Sequence, residues 1–104
     1  MTSPKILETY YKAILNQVKE GQPDTKIGRD LRQKRKNIAR KFNEESVELM
    51  IEALKGNKKK ITSEAADMLY TFLIMMADRN VPLGDIWAEL GDRLAGQDYV
   101  KKKK

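Results

Sequence analysis

The sequence predicts an all-α fold, a four-helix bundle completed by homodimerisation. Three observations lead there. Apolar residues recur at three- and four-residue spacing along nearly the whole chain. Helix formers are abundant while strand-favouring runs are few. The breaks between periodic stretches are short and rich in Gly, Pro and Asn, as expected where helices meet at tight turns.

Each element has its own signals. A first helix is expected from about Pro4 to Glu20, with Ser3 as N-cap, Pro4 opening the first turn and Ile6, Leu7, Tyr10, Ile14 and Val18 as its apolar stripe. The stretch Gly21–Asp24 interrupts it. A long second helix is expected from about Asp30 to Lys55, stopped by Gly56-Asn57. The third starts after Thr62 or Ser63 and runs to about Arg79, and Asn80-Val81-Pro82 forms the next turn. The fourth spans about Leu83 to Gln97, with Ile86, Trp87 and Leu90 as core or dimer contacts. Residues 1–100 are expected to form one domain, and Lys101–Lys104 a disordered basic tail.

Composition narrows the chemistry. There is no Cys and no His among the 104 residues, which excludes thiol chemistry, imidazole catalysis and His- or Cys-ligated zinc within this chain. The longest apolar run, Met68–Ala77, is too short to span a bilayer, so a cytoplasmic protein with no membrane partner is expected. At 40% hydrophobic and 35% charged residues, the chain buries little by itself, and an interface with a second copy would add apolar area.

Charge is segregated. The net +6 hides a basic segment at 29–41 contributing +6 and the Lys101–Lys104 tail contributing +4, which leaves −4 for the rest. Two helical stretches, 42–54 and 62–78, contain acids but no Lys or Arg. On a helical wheel Glu45, Glu48 and Glu52 fall together, with Glu44 beside them, and Glu64, Asp67, Thr71 and Asp78 share one strip. One reading is two solvated faces. The other is a site. Solvated faces usually mix signs, and the third helix is apolar around most of its circumference, so its acids should lie in a cleft. Carboxylates crowded in a cleft repel unless a cation joins them, and an oxygen-only donor set suits Mg²⁺ or Mn²⁺. The adjacent Arg29, Arg32, Lys34, Arg35, Lys36, Arg40 and Lys41 then complement a metal–polyphosphate substrate. The rival for this basic run is a solvated surface, or a non-catalytic helical protein that binds nucleic acid through it.

The acidic wording, Glu44-Glu45-Ser46-Val47-Glu48 and then Glu64-Ala65-Ala66-Asp67, resembles the all-α nucleoside triphosphate pyrophosphohydrolases, the MazG-like superfamily, and within it the phosphoribosyl-ATP pyrophosphatases of histidine biosynthesis. Ile38 and Lys41 before the acids, "EAADMLY" at 64–70 and "ADRNVPLGDIWAELGDR" at 77–93 extend the likeness over about 7–93. The resemblance implies Mg²⁺ held by Glu45, Glu48, Glu64 and Asp67. It also implies a water activated among Glu44, Glu45 and Glu48, and cleavage between the α and β phosphorus atoms with release of pyrophosphate. Phosphate contacts would come from Lys41, Arg40, Arg35, Lys34, Arg32 and Arg93, in a homodimer or dimer of dimers. Asn43, where the family usually has Gly, and Thr71, where it often has His, depart from the pattern and point to the substrate as the variable part; another nucleoside triphosphate is the alternative.

Overall fold

In the computed structural model, which describes residues 1–21 and 23–97, the chain forms five α-helices, with no strand among the described residues. They are α1 (Lys5–Lys19), α2 (Lys26–Leu31), α3 (Arg35–Lys55), α4 (Lys58–Asp78) and α5 (Leu83–Gly96). The all-α expectation holds. The Lys101–Lys104 tail lies outside the described residues.

Two boundaries differ from expectation, both for physical reasons. The expected second helix is two: α2 ends at Leu31, and Lys34 takes an extended conformation (φ −61°, ψ 144°) before α3 begins. No Gly or Pro marks this break. Thr25 caps α2 by accepting from the Gly28 amide at 2.9 Å, and Leu31 and Ile38 both reach the core on either side of the kink. The break also divides the basic run. Arg29 and Arg32 pair with Asp24, while Arg35 reaches Asp78 at 2.6 Å. A continuous helix would carry all of these cations on neighbouring turns.

The second difference is the start of α4, at Lys58 rather than after Thr62. Three lysines in a first turn oppose the helix dipole, which argues against a helix there. Asn57 outweighs them, its side chain accepting from the Lys60 amide at 3.1 Å. Gly56, at φ 83°, ends α3 in the left-handed conformation that favours glycine. Gly56-Asn57 is therefore the entire connection, and α3 and α4 form a tight antiparallel hairpin.

At its other end α4 stops in a Schellman arrangement. Asn80 is left-handed (φ 55°), its amide bonds Ala77 O at 3.1 Å, and the Val81 amide bonds Met76 O at 2.9 Å. Pro82 follows and starts α5. Tyr11 locks this turn to α1 by donating its hydroxyl to Val81 O at 2.5 Å.

The core is built around α4. Ile14 and Tyr11 from α1, Leu31 from α2, Ile38 from α3, Leu73, Ile74 and Ala77 from α4 and Leu83 from α5 are buried together. Ile86 packs on this cluster, while Trp87, Leu90 and Leu94 remain exposed and the Trp87 indole donates to Glu8. On α3, Val47, Met50, Ile51 and Leu54 are likewise exposed, Leu54 at 89%.

Candidate active site in the α3–α4 hairpin

The two-residue turn sets the register of the hairpin, and the register places the chemistry. Antiparallel helices meet every three to four residues on their facing sides. Climbing α3 while descending α4 pairs Glu48 with Glu64, Glu45 with Asp67, Lys41 with Thr71, Ile38 with Ile74 and Arg35 with Asp78. The strip of α4 that carries Glu64, Asp67, Thr71 and Asp78 thus faces α3. Within this strip Thr71 is buried and Glu64 and Asp78 are partly buried, while Asp67 stays exposed at the cleft.

Glu45, Asp67, Lys26, Lys41, Tyr10 and Tyr70 line a cleft of about 470 Å³. Glu64 lies deeper toward the turn, half-buried. Removal from water pushes the Glu64 carboxyl above its ordinary range; the Glu48 carboxyl beside it, and then the charges of Asp67 and Glu52, push the same way. Like charges have been brought together against their repulsion.

Three carboxylate oxygens here, Glu45 Oε1, Glu52 Oε1 and Glu64 Oε2, are buried without a hydrogen-bond partner among the described residues. A buried carboxylate oxygen with neither proton donor nor cation is costly. A hard divalent cation satisfies all three conditions at once: orphaned oxygens, mutual repulsion and an oxygen-only donor set. Among the described residues no three acids are already drawn into a ready-made metal cage; the carboxylates are spread along the hairpin.

The cationic side of the cleft comes from Lys41 on α3 and Lys26 on α2. Lys26 is fixed by Asp30 at 2.9 Å and lies 4.6 Å from the centre of the Tyr70 ring. Tyr70 donates its hydroxyl to Asp30 at 2.5 Å. Burial, and then the Asp30 carboxylate, raise the Tyr70 pKa, so this phenol stays protonated and keeps donating. Partial burial alone would raise Asp30, but the hydrogen bonds from Tyr70 and Lys26 and the charges of Lys26 and Lys41 outweigh it and lower the pKa.

Of the residues singled out in the sequence, Glu48, Glu64 and Asp67 are neighbours, and Glu45, Asp67 and Lys41 line one cleft. Glu44 is exposed one position before Glu45, and Lys34 and Arg40 are exposed. Arg32 and Arg35 are turned to Asp24 and Asp78. Arg93 lies on α5, paired with Glu89 at 3.1 Å, in a groove different from that of Glu45 and Asp67. The sequence pattern groups Glu52 with Glu45 and Glu48 but leaves it out of the expected metal set, and it gives no sign of Lys26, Asp30 and Tyr70 at the site. Glu52 sits one helical turn beyond Glu48, beside Glu64. Lys26 was not findable, because α2 is too short to show a periodicity.

Fold and site together define an all-α protein whose helical hairpin carries facing carboxylates, with lysines at their edge. A family model described as Phosphoribosyl-ATP pyrophosphohydrolase matches residues 7–94. The chain belongs to that family. Among similar curated proteins, the phosphoribosyl-ATP pyrophosphatase of Ruegeria pomeroyi is 51% identical over 65 residues, covering 62% of this chain and 61% of that protein. The one from Jannaschia sp. is 58% identical over 64 residues, 62% of this chain and 63% of that protein. The one from Gluconobacter oxydans is 43% identical over 68 residues, 65% of this chain and 51% of that protein. The chain thus spans less than two thirds of the length of these relatives. No solved structure matches it. No helix among the described residues is long and apolar enough to cross a membrane.

Proposed function

We propose that this chain is a divalent-metal-dependent nucleotide pyrophosphohydrolase that converts phosphoribosyl-ATP to phosphoribosyl-AMP and pyrophosphate, a step of histidine biosynthesis in the cytoplasm. The observation that carries the reading is the set of unpartnered, mutually repelling carboxylates between α3 and α4, opposite Lys26 and Lys41. The family match and the name shared by the relatives supply the substrate.

Glu45, Glu48, Glu64 and Asp67, with Glu52 beside Glu64, are the residues that would hold Mg²⁺ or Mn²⁺. When bound, the ion neutralises phosphate charge and polarises the phosphorus–oxygen bonds. Lys41 and Lys26 take non-bridging phosphate oxygens at the rim of the cleft. A carboxylate of the Glu44, Glu45 and Glu48 group accepts a proton from the attacking water. The water oxygen bonds to phosphorus, the α–β bridging bond breaks, and pyrophosphate leaves. Tyr70 and Asp30 orient Lys26 without touching the reacting atoms.

The protein acts as a homodimer or a dimer of dimers. Val47, Met50, Ile51 and Leu54 on α3, together with Trp87, Leu90 and Leu94 on α5, are exposed apolar side chains that an interface with a second copy would cover. The nucleic-acid reading has less support, because Arg29, Arg32 and Arg35 are engaged by Asp24 and Asp78.

The test is pyrophosphate release from a panel of phosphoribosyl-ATP and the common nucleoside triphosphates, with Glu48→Gln as background. Turnover should be greatest on phosphoribosyl-ATP. No turnover above the Glu48→Gln level on any member of the panel would end the proposal.

A further inference from the structure

Beside the carboxylate cleft lies a second cavity of about 240 Å³, between the α2–α3 junction and α4. Lys41 and Tyr70 border both spaces, so a ligand anchored in one extends past them into the other. At about 240 Å³ it falls below the roughly 300–1,000 Å³ of a whole small-molecule site and suits one part of a larger ligand.

Its walls differ in kind from those of the cleft. Ile38, Ile74 and Tyr70 give apolar surface. Gln33, Asn37 and Thr71 add neutral donors and acceptors. Asp30 also borders it, but that carboxylate is committed to Tyr70 and Lys26. Apolar walls edged by neutral amides suit a heteroaromatic ring, and a phosphate poorly.

Two further observations point into the space. Among the described residues Thr71 is the one buried polar side chain, 3% exposed, and its hydroxyl makes no hydrogen bond to any of them. Its unused capacity therefore faces the cavity it lines. Gln33, just before the extended Lys34, and Asn37, in the first turn of α3, border the cavity from either side of the break, and neither side-chain amide is hydrogen-bonded among the described residues.

We propose that this cavity seats the nucleobase of the bound nucleotide, with Asn37, Gln33 and Thr71 reading its edge and selecting adenine over guanine. A side-chain amide offers a donor beside an acceptor, which matches the adjacent N7 acceptor and N6 amino donor of adenine. Guanine presents two acceptors at the same edge, which one amide satisfies only in half. The inference rests on the proposed nucleotide chemistry of the cleft and adds to it a specificity element from α2–α3.

The experiment measures binding of three probes in the presence of Mg²⁺: α,β-methylene-ATP, α,β-methylene-GTP and inorganic tripolyphosphate. Wild type should bind the adenine analogue on the order of tenfold more tightly than the guanine analogue. Asn37→Ala should remove that preference and leave tripolyphosphate affinity unchanged. Thr71→Val, which keeps the side-chain shape, should weaken the adenine analogue alone. Equal wild-type affinity for all three probes overturns the base pocket while leaving the phosphate site standing, as does a variant that weakens tripolyphosphate as much as nucleotide. Failure of all three to bind overturns the pocket and the nucleotide reading together.

Discussion

Removing the Tyr70 hydroxyl tests the support beneath the site without touching the carboxylates. Tyr70 is half-buried, and its hydroxyl donates to Asp30 at 2.5 Å. Hydrogen bonds to charged groups contribute about 1.5–3 kcal/mol. The low end applies, because the Asp30 side chain keeps 24% exposure and retains Lys26 as a partner. Tyr70→Phe should therefore cost about 1.5 kcal/mol, which lowers Tm by roughly 6–12 °C for a domain of this size. Tyr10→Phe is the control: its ring centre is 5.5 Å from that of Tyr70, but its hydroxyl makes no bond among the described residues. It should change stability by less than about 0.5 kcal/mol.

Acid sharpens the same test. The native pKa of Asp30 lies below its ordinary 3.8, so its contribution to stability is fully present above that ordinary value and is lost as pH falls through the lower native one. Tyr70 holds the ionised form of Asp30, so the cost of Tyr70→Phe should be largest at neutral pH and shrink as the carboxylate protonates. Urea unfolding at fixed protein concentration, at pH 7 and at pH 3, measures both quantities; fixed concentration matters because association shifts apparent stability. A cost below about 0.5 kcal/mol, or one equal at the two pH values, would refute the coupling.

Other outcomes follow from the same geometry. Glu64→Gln should raise the melting temperature of the metal-free protein at pH 7, since it removes a charge from a repelling group, and should abolish the stabilisation that Mg²⁺ confers on wild type; thermal shift with and without Mg²⁺ reads both. Met50→Asp or Leu54→Asp, at exposed α3 positions, should leave helicity intact but reduce the sedimentation mass to that of a monomer. An alanine inserted between Ala65 and Ala66 turns the Lys58–Glu64 segment by about 100° relative to the core half of α4, so Glu64 loses Glu48 and the Mg²⁺ response should disappear in a folded protein. A glycine inserted between Gly56 and Asn57 is absorbed in the turn and should preserve that response; equal effects of the two insertions would disprove the register argument.

The long helices and the carboxylates they bear were legible because periodicity and residue type are both written locally. Glu45, Glu48, Glu64 and Asp67 could be grouped from their helical spacing, the absence of Lys or Arg around them and the family wording they share. Gly56 announced its own left-handed turn. What escaped was decided by tertiary context. The kink at Lys34 carries no breaker; on either side of it Leu31 and Ile38 enter the same core, and the flanking cations find Asp24 and Asp78. The early start of α4 turned on one Asn57 side chain against three adverse lysines. Lys26, Asp30 and Tyr70 meet across 40 residues of chain, and no local pattern signals such a contact.

The kink also explains how one protein keeps acids and bases close without pairing them with one another. A straight helix from Arg29 to Lys55 would carry these cations on the turns just before Glu45 and Glu48. With the chain bent at Lys34, most are drawn off: Arg29 and Arg32 to the α1–α2 loop, Arg35 to the far end of α4. Lys41 and Lys26 remain at the cleft, and Asp30 keeps Lys26 from collapsing onto Glu45. The carboxylates therefore stay short of positive charge, while burial, and after it the neighbouring Glu48, hold the Glu64 carboxyl above its ordinary range. A site prepared in this way favours a cation and the anion it brings over either alone, and the same bend opens the amide-edged cavity at Gln33 and Asn37 beside it.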